Sequence, residues 1–278
     1  MARHLVCLTF DFDVLSSWIF RGQTTPTSLS RGEFGLVGAE RILGLLEQHK
    51  IRSTWFIPGH TIDTFPESCR QVVERGHEVG HHGYLHEPPA ALSGSAEEAA
   101  VLERGNEAIK RLTGEYAKGY RSPSWDLSPF TVGLLLQHGF QYDSSMMAKD
   151  YEPYRARQGD GIHPDGTVEW GAESQLVEMP ISWSLDDFPH FEYRRTENWL
   201  QEGLQPTSGV LANFVDDYHY MHQTTDWGVL TYTFHPQVIG RGHRMLMLEK
   251  LIHTVRDHGA TFVRMDEAAA EWTARRSR

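Results

Sequence analysis

The sequence predicts an α/β fold, a single-domain distorted (β/α) barrel with about seven parallel strands, on three observations. Short apolar or β-branched runs alternate with amphipathic stretches along the chain. Repetition of that βα unit implies parallel strands joined by right-handed crossovers. The length, 278 residues, suits one large-core domain over residues 1–278 better than two separate ones. In order, strands are expected at 5–10, 53–57, 78–81, 119–121, 177–181, 229–234 and 261–263. Between them, Ser95-Ala-Glu-Glu98 reads as a capping box. Ser128-Pro129 opens a helix that ends near Gly139, and the Leu248, Leu251, Ile252, Val255 face stops at Gly259. Two segments break the alternation, 14–35, rich in Ser, Thr and Gly, and 144–176, with Tyr151, Tyr154, Trp170 and several glycines. Both read as long loops, either binding walls or surface insertions of no consequence.

With 40% hydrophobic and 23% charged residues, the composition is that of a soluble globular chain and excludes collagen-like, disordered and coiled-coil classes. Lys plus Arg number 26 against 37 Asp plus Glu, and a net charge of −11 argues against a phosphate-tracking surface, so nucleic acid is not an expected partner. The apolar run 5–10 is broken by Asp11, and no run approaches the ~20 residues of a membrane span; neither membrane anchoring nor export is expected. Cys7 and Cys69 are too few for a disulfide framework; they read as buried thiols of a cytoplasmic protein.

Four constellations carry chemistry. The first strand runs Leu8-Thr9-Phe10-Asp11-Phe12-Asp13, and a period of two sends both carboxylates to one side at the strand's C-terminal end, where such barrels place active sites. A loop-capping Asx pair is the alternative. The third strand is followed by His81-His82-Gly83-Tyr84-Leu85-His86, in which His82 and His86 would share a face of a helical turn. Two imidazoles and a carboxylate are the usual three-ligand set of a catalytic zinc site. His81 could replace His82, with poorer spacing, or the cluster could be merely solvated. Arg121-Ser122-Pro123-Ser124-Trp125 puts an Arg at a strand end before a rigid turn, suited to clamp a carboxylate or to form an ordinary salt bridge. His235-Pro236 ends another strand, so His235 faces the same mouth as a proton donor or simply terminates the strand.

Taken together, these pieces resemble the polysaccharide deacetylase family, the NodB-homology or carbohydrate esterase family four enzymes, over most of the chain. Thr9-Phe10-Asp11 looks like the family's first motif, His82 to His86 its His-x-x-x-His motif, Arg121-Ser122-Pro123 its Arg-x-Pro motif and Phe234-His235-Pro236 its last motif. The sequence departs from secreted members, which carry two adjacent aspartates; here Phe12 separates Asp11 from Asp13. With Tyr142-Asp143-Ser144-Ser145, Asp187-Phe188-Pro189 and the run 235–241, this form is similar to the signal-less branch of peptidoglycan deacetylase-like proteins, cyclic imide hydrolases and allantoinases. Allantoinases of that branch lack an intact metal triad, whereas Asp13, His82 and His86 are all present here.

The resemblance implies a divalent ion, most readily Zn²⁺, on Asp13, His82 and His86, with water as nucleophile. Asp11 would act as general base, Arg121 would orient Asp11 and His235 would protonate the leaving nitrogen. A backbone N–H near Ser124 would stabilise the oxyanion. Trp125, Trp183, Phe188, Tyr193 and Trp227 are candidates for the cleft wall, and 218–222 reads as a helix face or lid. The implied activity is hydrolysis of non-peptide carbon–nitrogen bonds, with N-deacetylation of an amino sugar ahead of ring-opening of a cyclic imide. An inactive sugar-binding barrel would be expected to have lost one of these groups. The branch also implies a homo-oligomer, a dimer or tetramer.

Overall fold

The computed structural model describes residues 2–195 and 200–276. Strand β1 (Arg3–Asp11) leads through α1 (Ser16–Phe20) and the long α2 (Pro26–Gln48) to β2 (Thr54–Ile57). Helices α3 (Gly59–Thr64) and α4 (Pro66–Glu74) precede β3 (Glu78–His81), and α5 (Ser95–Thr113) precedes β4 (Gly119–Tyr120). After α6 (Thr131–Gln137) come β5 (Tyr142–Asp143), β6 (Tyr154–Gln158), β7 (Gly161–Ile162), β8 (Val168–Glu169) and β9 (Ala172–Glu178). Then follow α7 (Asp187–Phe191), β10 (Arg194–Arg195), β11 (Leu200–Gln201), α8 (Thr207–Thr224) and β12 (Trp227–Phe234). The order closes with α9 (Pro236–Ile239), α10 (Gly242–Asp257), β13 (Thr261–Phe262) and α11 (Met265–Arg276).

The main sheet runs β12-β1-β2-β3-β4-β5-β9-β6, with β13 also on β1. All its pairings are parallel except β6 with β9. This strongly curled sheet is the expected distorted barrel, and all seven expected strands are present. The strand expected at 177–181 starts earlier, at Ala172, and the two-residue β5 adds a parallel strand. One parallel bridge, Asp186 with Thr233, draws the segment after β9 against β12. The period-two split is visible along β1. Leu5 and Cys7 pack with Phe56, Tyr142, Val177 and Val229 over α11, while Val6, Leu8 and Phe10 pack with α2 and α10. Helix α11 therefore fills the N-terminal end of the strands, and their C-terminal ends are left for the site. No helix among the described residues is long and apolar enough to cross a membrane.

Several local readings are corrected. Segment 14–35 is not a loop. Thr25 caps α2, its side chain accepting from the Ser28 amide, and Pro26 holds the first turn. Glycines depress helix propensity, which hid α2, but Gly32 and Gly38 face close backbone neighbours. A Cβ at Gly32 would lie 2.3 Å from the Val14 carbonyl oxygen, and one at Gly38 2.0 Å from that of Pro236. The missing side chains let α2 seat against the chain just after Asp13 and just after His235. Segment 144–176 is largely a β arm, with β6 on β9 and the β7–β8 hairpin beyond. Ser95 lies inside α5 and makes no cap; Glu97 instead accepts from Ser93 Oγ and its amide, while Glu98 accepts from Ser128 and Thr131. Residues 218–222 belong to α8, as the helix-face reading expects. Both cysteines are buried and free, and burial pushes the Cys69 thiol up to about 12.

Candidate active site

The C-terminal ends of β1, β3, β4 and β12 bring most of the expected residues to one cavity of about 410 Å³, with Arg121 buried against Asp11. It is lined by Asp11, Asp13, His82, His86, Ser124, Trp125, Trp183, Phe188 and His235, with Arg21, Asp186 and Pro189. Asp11 is the last residue of β1 and Asp13 lies beyond it. The Phe12 amide bonds to the Phe56 carbonyl of β2, and the Asp13 carbonyl accepts from Thr61 Oγ1 at 2.8 Å.

His82 and His86 do not share a helical turn. Their segment is a loop in which Gly83 and His86 adopt left-handed backbone, φ +71 and +66, and that reversal brings the rings to 5.0 Å between centroids. A non-glycine residue there is strained, and holding a ring on the ligand set is a use for that strain. His82 Nδ1 lies 2.7 Å from the Arg121 carbonyl, an acceptor only, so Nδ1 carries the hydrogen and Nε2 offers a lone pair. His82 Nε2 is 3.5 Å from Asp13 Oδ1, and His86 Nε2 is 3.6 Å from Asp13 Oδ2. His81 turns away, its Nε2 bonding the Leu102 carbonyl and its Nδ1 accepting from the Gly83 amide, which removes it as an alternative ligand.

These three residues fit a divalent cation. Asp13 Oδ1 is buried without a hydrogen-bond partner among the described residues and faces an imidazole lone pair. Burial pushes His86 well below the usual histidine value, which keeps it neutral, the form that ligates metals. The potential donor atoms all lie within 4.8 Å of one another. A second group with such spacing, His49, Glu249 and His253, has the Arg256 guanidinium 3.4 Å from His49 Nδ1, a charge that opposes a cation.

Arg121 is fully buried and bonded to Asp11: Nη1 donates to Asp11 Oδ1 at 2.8 Å and to Thr9 Oγ1 at 2.8 Å. Nε and Nη2 donate to the carbonyl and Oγ of Ser144, and Ser145 Oγ accepts from the Ser122 amide. The Tyr142-Asp143-Ser144-Ser145 run is thus the scaffold of the Arg121 turn. Burial raises the Asp11 carboxyl, but the positive charge of Arg121, with His82 and His235, outweighs it and holds the group below its ordinary value.

His235 Nδ1 donates to Asp187 Oδ1 at 2.8 Å, and Nε2 lies 3.9 Å from Asp11 Oδ2. Burial lowers its pKa, but Asp186 at 3.5 Å and Asp187 overcome that and push it up to about 10. The two carboxylates thus favour the protonated imidazole.

Trp125 and Trp183 stack at 4.1 Å and wall the cavity, and Phe188 lies 5.1 Å from the His235 ring. Ser124 and Trp125 both take left-handed backbone after Pro123, turning Trp125 inward. Two expected wall residues are elsewhere: Tyr193 lines a different cavity beside Trp18 and Arg241, and Trp227, the first residue of β12, is at the opposite end of the strand from His235. Sequence reasoning missed Arg21, Asp186 and the role of Asp187. The Asp187-Phe188-Pro189 run was the available signal, but its meeting with His235 depends on the bridge from Asp186 to Thr233, which is distant in sequence.

The polysaccharide deacetylase family model matches residues 34–142. The Helicobacter pylori peptidoglycan deacetylase is 37% identical over 289 aligned residues, covering 99% of this chain and 98% of that protein. The peptidoglycan deacetylase-like protein FGM2 of Gibberella zeae is 26% identical over 97% of this chain and 86% of its own length. A Mycobacterium smegmatis crystal structure named for the polysaccharide deacetylases superposes with a TM-score of 0.86 at 29% identity, covering 99% of this chain and 92% of that one. The PuuE allantoinase structure gives a TM-score of 0.79 at 20% identity over 98% of this chain and 91% of its own, a likeness of fold. On these grounds the chain belongs to the polysaccharide deacetylase family, hydrolases acting on carbon–nitrogen bonds other than peptide bonds.

Proposed function

We propose that this protein is a metal-dependent amide hydrolase that removes the acyl group from an N-acylated amino sugar. The observation that carries the reading is the convergence of a cation-ready triad, a clamped carboxylate and a protonated imidazole in one cavity. Asp13, His82 and His86 would hold the ion. A bound divalent ion supplies Lewis acidity and makes water a competent nucleophile near neutral pH. Asp11 takes the proton of the attacking water; its low basicity is offset by its fixed position against Arg121. As the carbon–nitrogen bond breaks, His235 gives its Nε2 proton to the leaving amine, and Asp187 holds the ring throughout. The Trp125 amide already donates to the Ser122 carbonyl at 2.9 Å, so the donor for the oxyanion on this turn is the Ser124 amide.

The names of the relatives support an N-acetyl sugar. The compact cavity with its stacked tryptophans favours a second reading, opening of a cyclic imide. Zinc-loaded protein is expected to release acetate from an N-acetylglucosamine oligomer and to stop on chelation. Glutarimide opening without acetate release moves the activity to the second reading, and turnover that survives complete metal removal overturns both.

A pH profile checks the acid. Because the His235 proton is held up to about 10, kcat/KM is expected to keep its acid-dependent limb until near that pH. In Asp187→Asn a main support of that value is gone, and the limb is expected to move down towards the ordinary ~6.5 of histidine. An alkaline limb at the same pH in both proteins removes Asp187 from this role. The same sign applies to stability: the His235 contribution is complete below ~6.5 and is lost as pH rises through about 10.

A further inference from the structure

Arg21 closes α1, the helix that begins three residues after Asp13. Ser16 ties that helix to the Asp13 carbonyl through its amide at 2.9 Å and its Oγ at 2.8 Å, so Arg21 is carried on the same rigid segment as an expected metal ligand. Its side chain lines the cavity from the solvent-exposed rim. The other charged groups of the cavity are matched. Arg121 serves Asp11, His235 serves Asp186 and Asp187, and Asp13 stands against His82 and His86. Arg21, among the described residues, has neither a carboxylate within ion-pair distance nor a hydrogen-bond acceptor for its guanidinium. Protein packed around it removes part of its water, which lowers its pKa, yet it remains a cation at any ordinary pH.

We propose that Arg21 is a substrate-binding residue that pairs with an anionic group, a carboxylate, carried by the substrate beside its scissile amide. The inference rests on the hydrolase reading of the same site and narrows its substrate class. A guanidinium fork matches a carboxylate in two parallel hydrogen bonds, and in a partly desolvated wall that pairing is stronger than in water. Asp13 is the anion whose charge reaches Arg21, and it already stands against His82 and His86. The partner that balances Arg21 therefore arrives with the ligand, and an exposed cation at the rim also draws an anion in from solution.

The test compares succinamate with succinamide, which differ by one carboxylate, as ligands of the zinc-loaded Asp11→Asn protein, measured by calorimetry. Both proteins compared hold the same metal, so any direct carboxylate–metal contribution cancels between them. The acid is expected to bind better than the amide, and Arg21→Met is expected to shrink that ratio about tenfold or more, with partial recovery in Arg21→Lys. Absence of any preference for the acid overturns the proposal, as does a preference that persists undiminished in Arg21→Met. If the preference behaves as expected but no acetate or imide turnover is found in the wild type, the hydrolase reading falls and the anion subsite stands.

Discussion

Asp11→Asn is expected to keep its metal and lose turnover by about 10²–10⁴-fold, the usual contribution of a positioned general base. The amide is the same size as the carboxylate, and its oxygen still accepts from Arg121 Nη1, which now sits 2.8 Å from Asp11 Oδ1. The variant thus changes basicity far more than shape. Asp11 is outside the triad of Asp13, His82 and His86, so the ion's binding stoichiometry should hold at the wild-type value. His86→Ala is the contrasting variant, expected to lose both ion and turnover because the third ligand leaves. Metal analysis beside a rate measurement separates the two cases. An Asp11→Asn protein that arrives without metal would mean that base and ligand have been exchanged, and one that turns over normally would leave Asp11 with no chemical role.

Arg121→Leu is expected to cost about 3–5 kcal/mol of stability, the penalty for stripping one partner from a buried ion pair. Arg121 and Asp11 are 0% and 1% exposed, and the guanidinium also satisfies Thr9 and Ser144. Removing it leaves a carboxylate whose burial is no longer opposed by its strongest counter-charge, so the Asp11 pKa should rise. The sign matters for acid unfolding. In the native protein Asp11 lies below its ordinary value, so its pairing stabilises the fold above the ordinary carboxylate range and is lost as pH falls through the depressed value. In Arg121→Leu that dependence should weaken or reverse. Urea midpoints at neutral and acid pH read both effects, and the double variant Arg121→Leu with Asp11→Leu should recover much of the loss. A single-variant change below ~1 kcal/mol would place this pair with ordinary surface bridges.

How much of this was legible in the sequence depends on whether the cause was local. The parallel order, the seven strand positions and the residues at strand ends follow from periodicity, and Asp11, Arg121 and His235 meet because parallel strands end on one side. The His82–His86 pairing was legible in residue type but not in geometry, because the loop depends on left-handed backbone at a histidine, which no helical spacing rule contains. Helix α2 was illegible for the opposite reason. Its glycines lower local propensity while serving contacts with Val14 and Pro236, which only the tertiary fold brings near. The role of Asp187 and the presence of Arg21 escaped notice likewise. The first matters only because residue 186 bridges residue 233, and the second because a short helix after Asp13 delivers it to the cavity.

The joint between β12 and the segment at Asp186 has a mechanical consequence. It consists of one backbone bridge, reinforced by the Asp187 carboxylate accepting the His235 amide at 3.1 Å. Elsewhere β12 is stitched to β1 in eight consecutive residue pairs. This seam is far narrower than the one between β12 and β1, and an opening there would also uncouple the His235 imidazole from the Asp187 carboxylate it is bonded to. With His235 as the proposed proton donor, opening of the wall and readiness of that donor share one coordinate, and stiffening the seam is expected to steady both.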